Sequence, residues 1–156
     1  MDATEAIKTL REPIQYEFVG NEKDFESHII VHIEDIINCM GLSKVVRIER
    51  QKQFRFPSGQ IIVDILVMHE DRTLTVFEVK KPNKNNGWTS PHAQMQAIGQ
   101  LLLYQNVIEE TYAKPRLVLI DNKIHERTVM AFANNHLPIT LVEFQRNRLF
   151  IPYRAF

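Results

Sequence analysis

The stretch IIVDILVMHEDRTLTVFEVK, residues 61–80, holds two apolar runs joined by a short polar segment. IIVDILVM at 61–68 is almost continuously apolar, the pattern of a strand buried on both faces. HEDRT reads as a turn, and LTVFEVK at 74–80 as a second buried strand. A three-residue turn Glu70-Asp71-Arg72 pairs His69 with Thr73, Met68 with Leu74 and Leu66 with Val76. Extended further, that register sets Asp64 opposite Glu78, with Lys80 on the same face. Two carboxylates facing each other across a hairpin lie roughly 5 Å apart at Cβ and repel. They raise each other's pKa or require a cation between them.

Outward from this hairpin, FESHIIVHIEDIINCMG carries an apolar stripe at Phe25, Ile29, Ile33, Ile36 and Ile37, which predicts a helix over about 21–40 ended by Gly41. Residues 1–12 read as a short helix stopped by Pro13, and Cys39 as a small buried hydrophobe. SKVVRIERQKQFRF is a charge-rich strand with one wet face, followed by a turn at 57–59. PNKNNGW at 82–88 is a polar loop, and the chain from about 92 to 110 is helical. A strand at 115–120, a helix at 123–136 and two short strands, PITLVEF and RLFIPY, complete the chain. The order α-β-β-β-α-β-α-β-β predicts an α/β fold. An antiparallel meander runs into parallel pairing, and the mixed sheet has helices on both faces.

At 156 residues the chain has the size of one domain, and 44 % apolar residues suffice for a core. The formal net charge is zero, so nucleic-acid binding has to rest on local patches. A single cysteine excludes a disulfide framework and a multi-cysteine metal site, and fits a reducing compartment. The start MDATEAIKTL has no basic, apolar leader, and no apolar stretch approaches a membrane span. The expectation is a cytoplasmic protein without a membrane partner.

Asp64 and Glu78 form an all-oxygen donor set suited to a hard cation such as Mg²⁺ or Mn²⁺. Such an ion polarises a phosphoryl oxygen and acidifies a bound water, and the Lys80 amine can stabilise charge developing at phosphorus. Lys44, Arg47, Arg50, Lys52 and Arg55 form one basic cluster, and Lys81 and Lys84 a second. Both are candidates for phosphate contacts. Trp88 could stack on a base or cap its loop. His28 and His32 lack the glutamate of a zinc-protease helix and read as packing or solvent-facing residues.

Asp64 followed by Glu78-Val79-Lys80 after a hairpin-sized gap resembles the core motif of the PD-(D/E)xK nuclease superfamily, whose core order α-β-β-β-α-β matches residues 21–120. The residue before Asp64 is Val63, so the literal Pro-Asp is absent, while Glu78 and Lys80 are intact. The resemblance implies one nuclease domain over 1–156, with residues 121–156 as a C-terminal extension. It implies Asp64, Glu78 and the Val79 carbonyl as metal ligands for Mg²⁺ or Mn²⁺, and Lys80 as the catalytic lysine. Many members place a glutamate on the first helix. Glu22 and Glu26 are both available, and Glu22, followed by Phe25, fits the spacing better. Gln100 and Tyr104 match the Gln-x-x-x-Tyr pattern of RecB-type members, with Gln96 one turn earlier. The resemblance further implies phosphodiester hydrolysis, in DNA rather than RNA. Other readings are a homodimer, a subunit needing a partner helicase or recognition protein, and a non-catalytic nucleic-acid-binding module.

Overall fold

A computed structural model of the chain describes residues 22–80, 89–145 and 148–156, with the backbone alone at 22 and 23. The expected helix at 1–12, the 82–88 loop, Lys81, Lys84, Trp88 and the Glu22 side chain lie outside the described residues. The elements are α1 (Glu22–Val31), α2 (Ile33–Cys39), β1 (Val45–Phe56), β2 (Gly59–His69), β3 (Leu74–Val79), α3 (Pro91–Glu109), β4 (Arg116–Asp121), α4 (Glu126–Asn134), β5 (Ile139–Gln145) and β6 (Arg148–Tyr153).

All six strands form one sheet in chain order, β1-β2-β3-β4-β5-β6. β1–β2–β3 is an antiparallel meander, β3–β4 and β4–β5 are parallel through α3 and α4, and β5–β6 closes antiparallel. Both crossovers step the same way along the sheet, so α3 and α4 share one face. There Ala97, Leu101, Tyr104 and Ile108 pack on Val76, Leu117, Leu119 and Leu141. The other face holds α1 and α2, whose Phe25, Ile29, Ile33 and Ile36 cover Ile65, Phe77, Val118 and Val142. The α/β architecture is the expected one.

Two local readings change. The expected helix over 21–40 is two helices. The amide of His32 bonds Ile29 O, three residues back, at 3.0 Å, and this tighter turn breaks the α ladder. Cys39 is exposed rather than buried. Ile33, Ile36, Ile37 and Met40 define the buried stripe, and Cys39 stands on the opposite side of the helix. His28 stacks on Phe144 with ring centroids 5.3 Å apart, and His32 meets the same ring at 5.7 Å.

The β2–β3 hairpin has the expected register, with Met68 opposite Leu74 and Leu66 opposite Val76. His69 N donates to Thr73 O at 3.0 Å across the three-residue turn, where Arg72 takes the left-handed conformation, φ 69°. The Asp71 carboxylate accepts from Thr73 N at 3.0 Å and locks the turn.

β2 is not buried on both faces throughout. Ile65 and Val67 point to the α1/α2 side, yet Ile61 and Val63, at the same parity, lie in the α3/α4 core. β1 does the same, with Ile48 on one side and Phe54 and Phe56 on the other. Both strands therefore change face near the middle, where Gln51 stands opposite Asp64 between the pairs Arg50–Ile65 and Lys52–Val63. Gln51 has φ 50°, unusual for a residue with a Cβ inside a strand. This crease carries the hairpin toward the C-terminal end of α3, where Phe54 meets Tyr112, just past that helix, edge-on at 6.3 Å.

Candidate active site

β3 is buried along its whole length, so Glu78 enters the protein interior with only 3 % of its surface exposed. Regular β2–β3 pairing runs to Ile65–Phe77. One step further, the Asp64 side chain takes over from the backbone, and its Oδ2 accepts from Val79 N at 2.8 Å. Asp64 thus satisfies the end of β3 and is held beside Glu78. Lys80 leaves the strand with its amide bonded to Ile120 O at 2.9 Å, and its Nζ lies 3.4 Å from Glu78 Oε1. The structure brings together the three residues at the centre of the sequence reading.

Their electrostatics follow from burial. The Glu78 carboxyl is pushed up to about 7, first by desolvation and then by the charge of Asp64, while Lys80 and the Tyr104 hydroxyl pull it back. Asp64 is also raised by desolvation, against the hydrogen bonds from Val79 N and Gln51 and the charge of Lys80. Glu78 Oε2 is buried and has no hydrogen-bond partner among the described residues. A buried carboxylate oxygen without a donor is costly, and a cation bound there removes that cost.

Among the described residues, the helix glutamate that reaches this site is Glu26. Glu26, whose charge suggests a solvated helical face, is only 3 % exposed. Its Oε1 accepts from Arg50 Nε at 3.0 Å and its Oε2 from Gln51 Nε2 at 2.8 Å. The same Gln51 amide nitrogen lies 3.3 Å from Asp64 Oδ1, so one side chain links α1 to the acidic pair. Gln51 carries no sequence signal, because a left-handed glutamine in a polar strand looks like any exposed residue.

On α3, Gln100 is exposed, whereas Tyr104, one turn on, is buried against Glu78. Gln96 is exposed as well. The buried glutamine of this helix is Gln94, which the sequence pattern alone did not single out. It stands on the stripe of Ala97, Leu101, Tyr104 and Ile108, and that periodicity is the available signal. Its Nε2 donates to Asp121 Oδ2 at 3.0 Å and to Lys123 O at 2.8 Å. Its Oε1 accepts from His125 N at 3.1 Å and from Thr128 Oγ1 at 2.7 Å.

In the basic cluster of β1, several charges have partners within the fold. Arg47 Nη2 is 2.7 Å from Glu49 Oε1, and Lys52 Nζ is 3.4 Å from Glu49 Oε2. Arg50 is held by Glu26 and by Ser27 Oγ at 3.0 Å. Arg55 and Lys44 are both exposed.

The fold, an antiparallel meander that continues into two parallel crossovers, superposes on solved structures. A repair endonuclease from Pyrococcus abyssi superposes with a TM-score of 0.51 at 17 % identity, over 85 % of this chain and 50 % of that one. The chain has a restriction-endonuclease-like fold. Can2 from Sulfobacillus thermosulfidooxidans, solved in complex with cyclic tetra-adenylate, superposes with a TM-score of 0.54 at 13 % identity, over 90 % of this chain and 41 % of that one. The chain spans half the length of these structures or less. No protein-family model matches the sequence, and no curated protein does. Among the described residues no helix is long and apolar enough to cross a membrane.

The chemistry of the donors decides which ion they suit. Among the described residues no group of three or more His, Cys, Asp or Glu side chains is placed to hold one. Two carboxylates, one with an unused buried oxygen, still fit a hard cation that keeps several of its waters. They do not fit zinc, which prefers nitrogen and sulfur donors.

Proposed function

We propose that the chain is a metal-dependent nuclease that hydrolyses phosphodiester bonds, in DNA rather than RNA. The observation that carries this reading is the convergence of Asp64 and Glu78 from neighbouring strands, with Lys80 Nζ 3.4 Å from Glu78 and one Glu78 oxygen without a donor among the described residues. Asp64, Glu78 and the Val79 carbonyl would hold Mg²⁺ or Mn²⁺. When bound, the ion supplies Lewis-acid polarisation of a phosphoryl oxygen and a more acidic water. Lys80 stands beside the same carboxylate and stabilises negative charge on the phosphate as the bond breaks. Tyr104, whose hydroxyl meets Glu78, orients that carboxylate. Lys44, just before β1, and Arg55 on it are the cations proposed to meet phosphates. Can2 was solved with cyclic tetra-adenylate, and the Pyrococcus protein is a repair endonuclease. Both support a phosphodiester substrate for this chain.

The test is incubation of the purified chain with labelled single-stranded, duplex and branched DNA, and with RNA, in Mn²⁺, Mg²⁺ or EDTA. Cleavage that needs the ion and disappears in Glu78→Ala and Lys80→Ala is the expected result. Tight binding without cleavage on every substrate would instead assign a nucleic-acid-binding module, or a subunit that awaits its helicase or recognition partner.

A further inference from the structure

Gln51 spends conformational energy where nothing in the core requires it. Its φ of 50° puts a β-carbon into the left-handed region, yet its side chain is exposed. Glycine would take the same backbone angle without strain. What a glutamine adds is its amide. Both donor directions of Nε2 are used, one toward Glu26 Oε2 at 2.8 Å and one toward Asp64 Oδ1 at 3.3 Å. Strained residues persist where the surroundings hold them in place, and they cluster at functional sites.

The placement has a geometric cause. Gln51 lies opposite Asp64 at the crease where β1 and β2 change face. A regular strand would alternate through this point and send the residue-51 side chain away from the α1 glutamate. The left-handed turn redirects it, so that an amide stands between two carboxylates which would otherwise repel. Glu26 is itself fixed from its other oxygen by Arg50 at 3.0 Å. The chain Arg50–Glu26–Gln51–Asp64 therefore runs from the first helix into the acidic pair.

We infer that Gln51 is a positioning residue that sets the orientation of Asp64 for a divalent ion by tethering it to Glu26. The inference rests on the nuclease reading above and adds a residue to it. Outer hydrogen-bond partners of metal ligands typically contribute 10–100-fold to metal affinity. The two Asp64 oxygens are held separately, Oδ2 by Val79 N and Oδ1 by the Gln51 amide, so loss of the amide frees the carboxylate to rotate.

The experiment titrates the full chain with MnCl₂ alone by calorimetry and, in parallel, follows cleavage against Mn²⁺ concentration. Gln51→Gly accepts the backbone angle and lacks the amide. It should keep or raise the melting temperature, weaken Mn²⁺ binding about 10- to 100-fold, and recover most of its kcat at saturating Mn²⁺. Glu26→Ala should weaken Mn²⁺ binding in the parent chain and have no further effect in the Gln51→Gly background, because the link is already cut. Should Gln51→Gly not fold, Gln51→Asn serves: it tolerates a positive φ, and its amide falls one methylene short. Wild-type Mn²⁺ affinity in either variant overturns the inference and leaves the nuclease reading standing. Fully additive losses in the double variant overturn the tether. A parent chain that neither binds Mn²⁺ nor cleaves overturns the nuclease reading, and the inference with it.

Discussion

Two pairs of acids lie on the same face of this sheet and have opposite characters. Asp64 and Glu78 sit where β2 and β3 part, beside a strained glutamine, with a Glu78 oxygen that no described group donates to. Asp121 and Glu143 stand side by side at the ends of β4 and β5. Both Asp121 oxygens are occupied, Oδ1 by Asn122 N at 2.7 Å and Oδ2 by Gln94, while Glu143 Oε1 accepts from Ile124 N at 3.0 Å. The second pair is pushed up as well, Asp121 to about 6 and Glu143 to about 7, in both cases first by burial. A raised pKa therefore does not distinguish a site from a scaffold. Unspent buried hydrogen-bonding capacity does: the first pair has a buried oxygen with no donor among the described residues, whereas three of the four oxygens of the second pair are spent on Gln94 and the β4–α4 loop.

The sharpest way to break this contrast is substitution on both sides. Glu78→Gln should lower ion-dependent cleavage by on the order of 10³-fold, with the fold intact by circular dichroism. Glu143→Gln, which can still accept from Ile124 N, should leave cleavage within a few-fold. Equal losses from the two variants would erase the distinction.

Next in size is the loop clamp. Gln94→Ala removes four hydrogen bonds and strands buried partners. It should cost about 3 kcal/mol in urea unfolding, while cleavage measured well below the transition stays near wild type. Acidity gives a comparable effect. In the folded protein Asp121 and Glu143 hold protons that the unfolded chain, with ordinary values of 3.8 and 4.5, has released. Their contribution is complete below about pH 4 and is lost as pH rises through 6 to 7, about 3 kcal/mol for Glu143 alone. Melting temperature should therefore fall from pH 5 to pH 8, and Glu143→Gln should flatten that slope. The smallest expected effect is stabilisation by the ion itself. Mn²⁺ at a hundredfold excess over its Kd adds about 2.7 kcal/mol; Glu78→Gln should abolish the gain and Glu143→Gln should preserve it.

The β2–β3 hairpin is legible in the sequence because three independent signals agree on one register: the apolar runs, the three-residue turn and the matched faces. Asp64, Glu78 and Lys80 follow from that register. The crease does not, since IIVDILVM has the same pattern whether a strand is buried on both faces or switches faces midway. Glu26 hides because an acid in a polar helix segment carries no mark of the arginine that will bury it. Gln94, Gln96 and Gln100 are chemically identical on one helix, and only the core stripe separates the buried one. Cys39 looks like part of the α2 stripe from its apolar neighbours, although its helical angle puts it outside.

The unbroken strand order has a consequence for assembly on the ribosome. Each strand docks beside the one made just before it, so the sheet can grow in the direction of synthesis without leaving a gap for a later segment to fill. The hairpin bearing Asp64 and Glu78 emerges early, but Glu78 loses its water only after β4 and α3 have followed. A nascent chain would thus display its acidic pair hydrated, and acquire the high proton affinity of Glu78 when translation has passed the second half of the sheet.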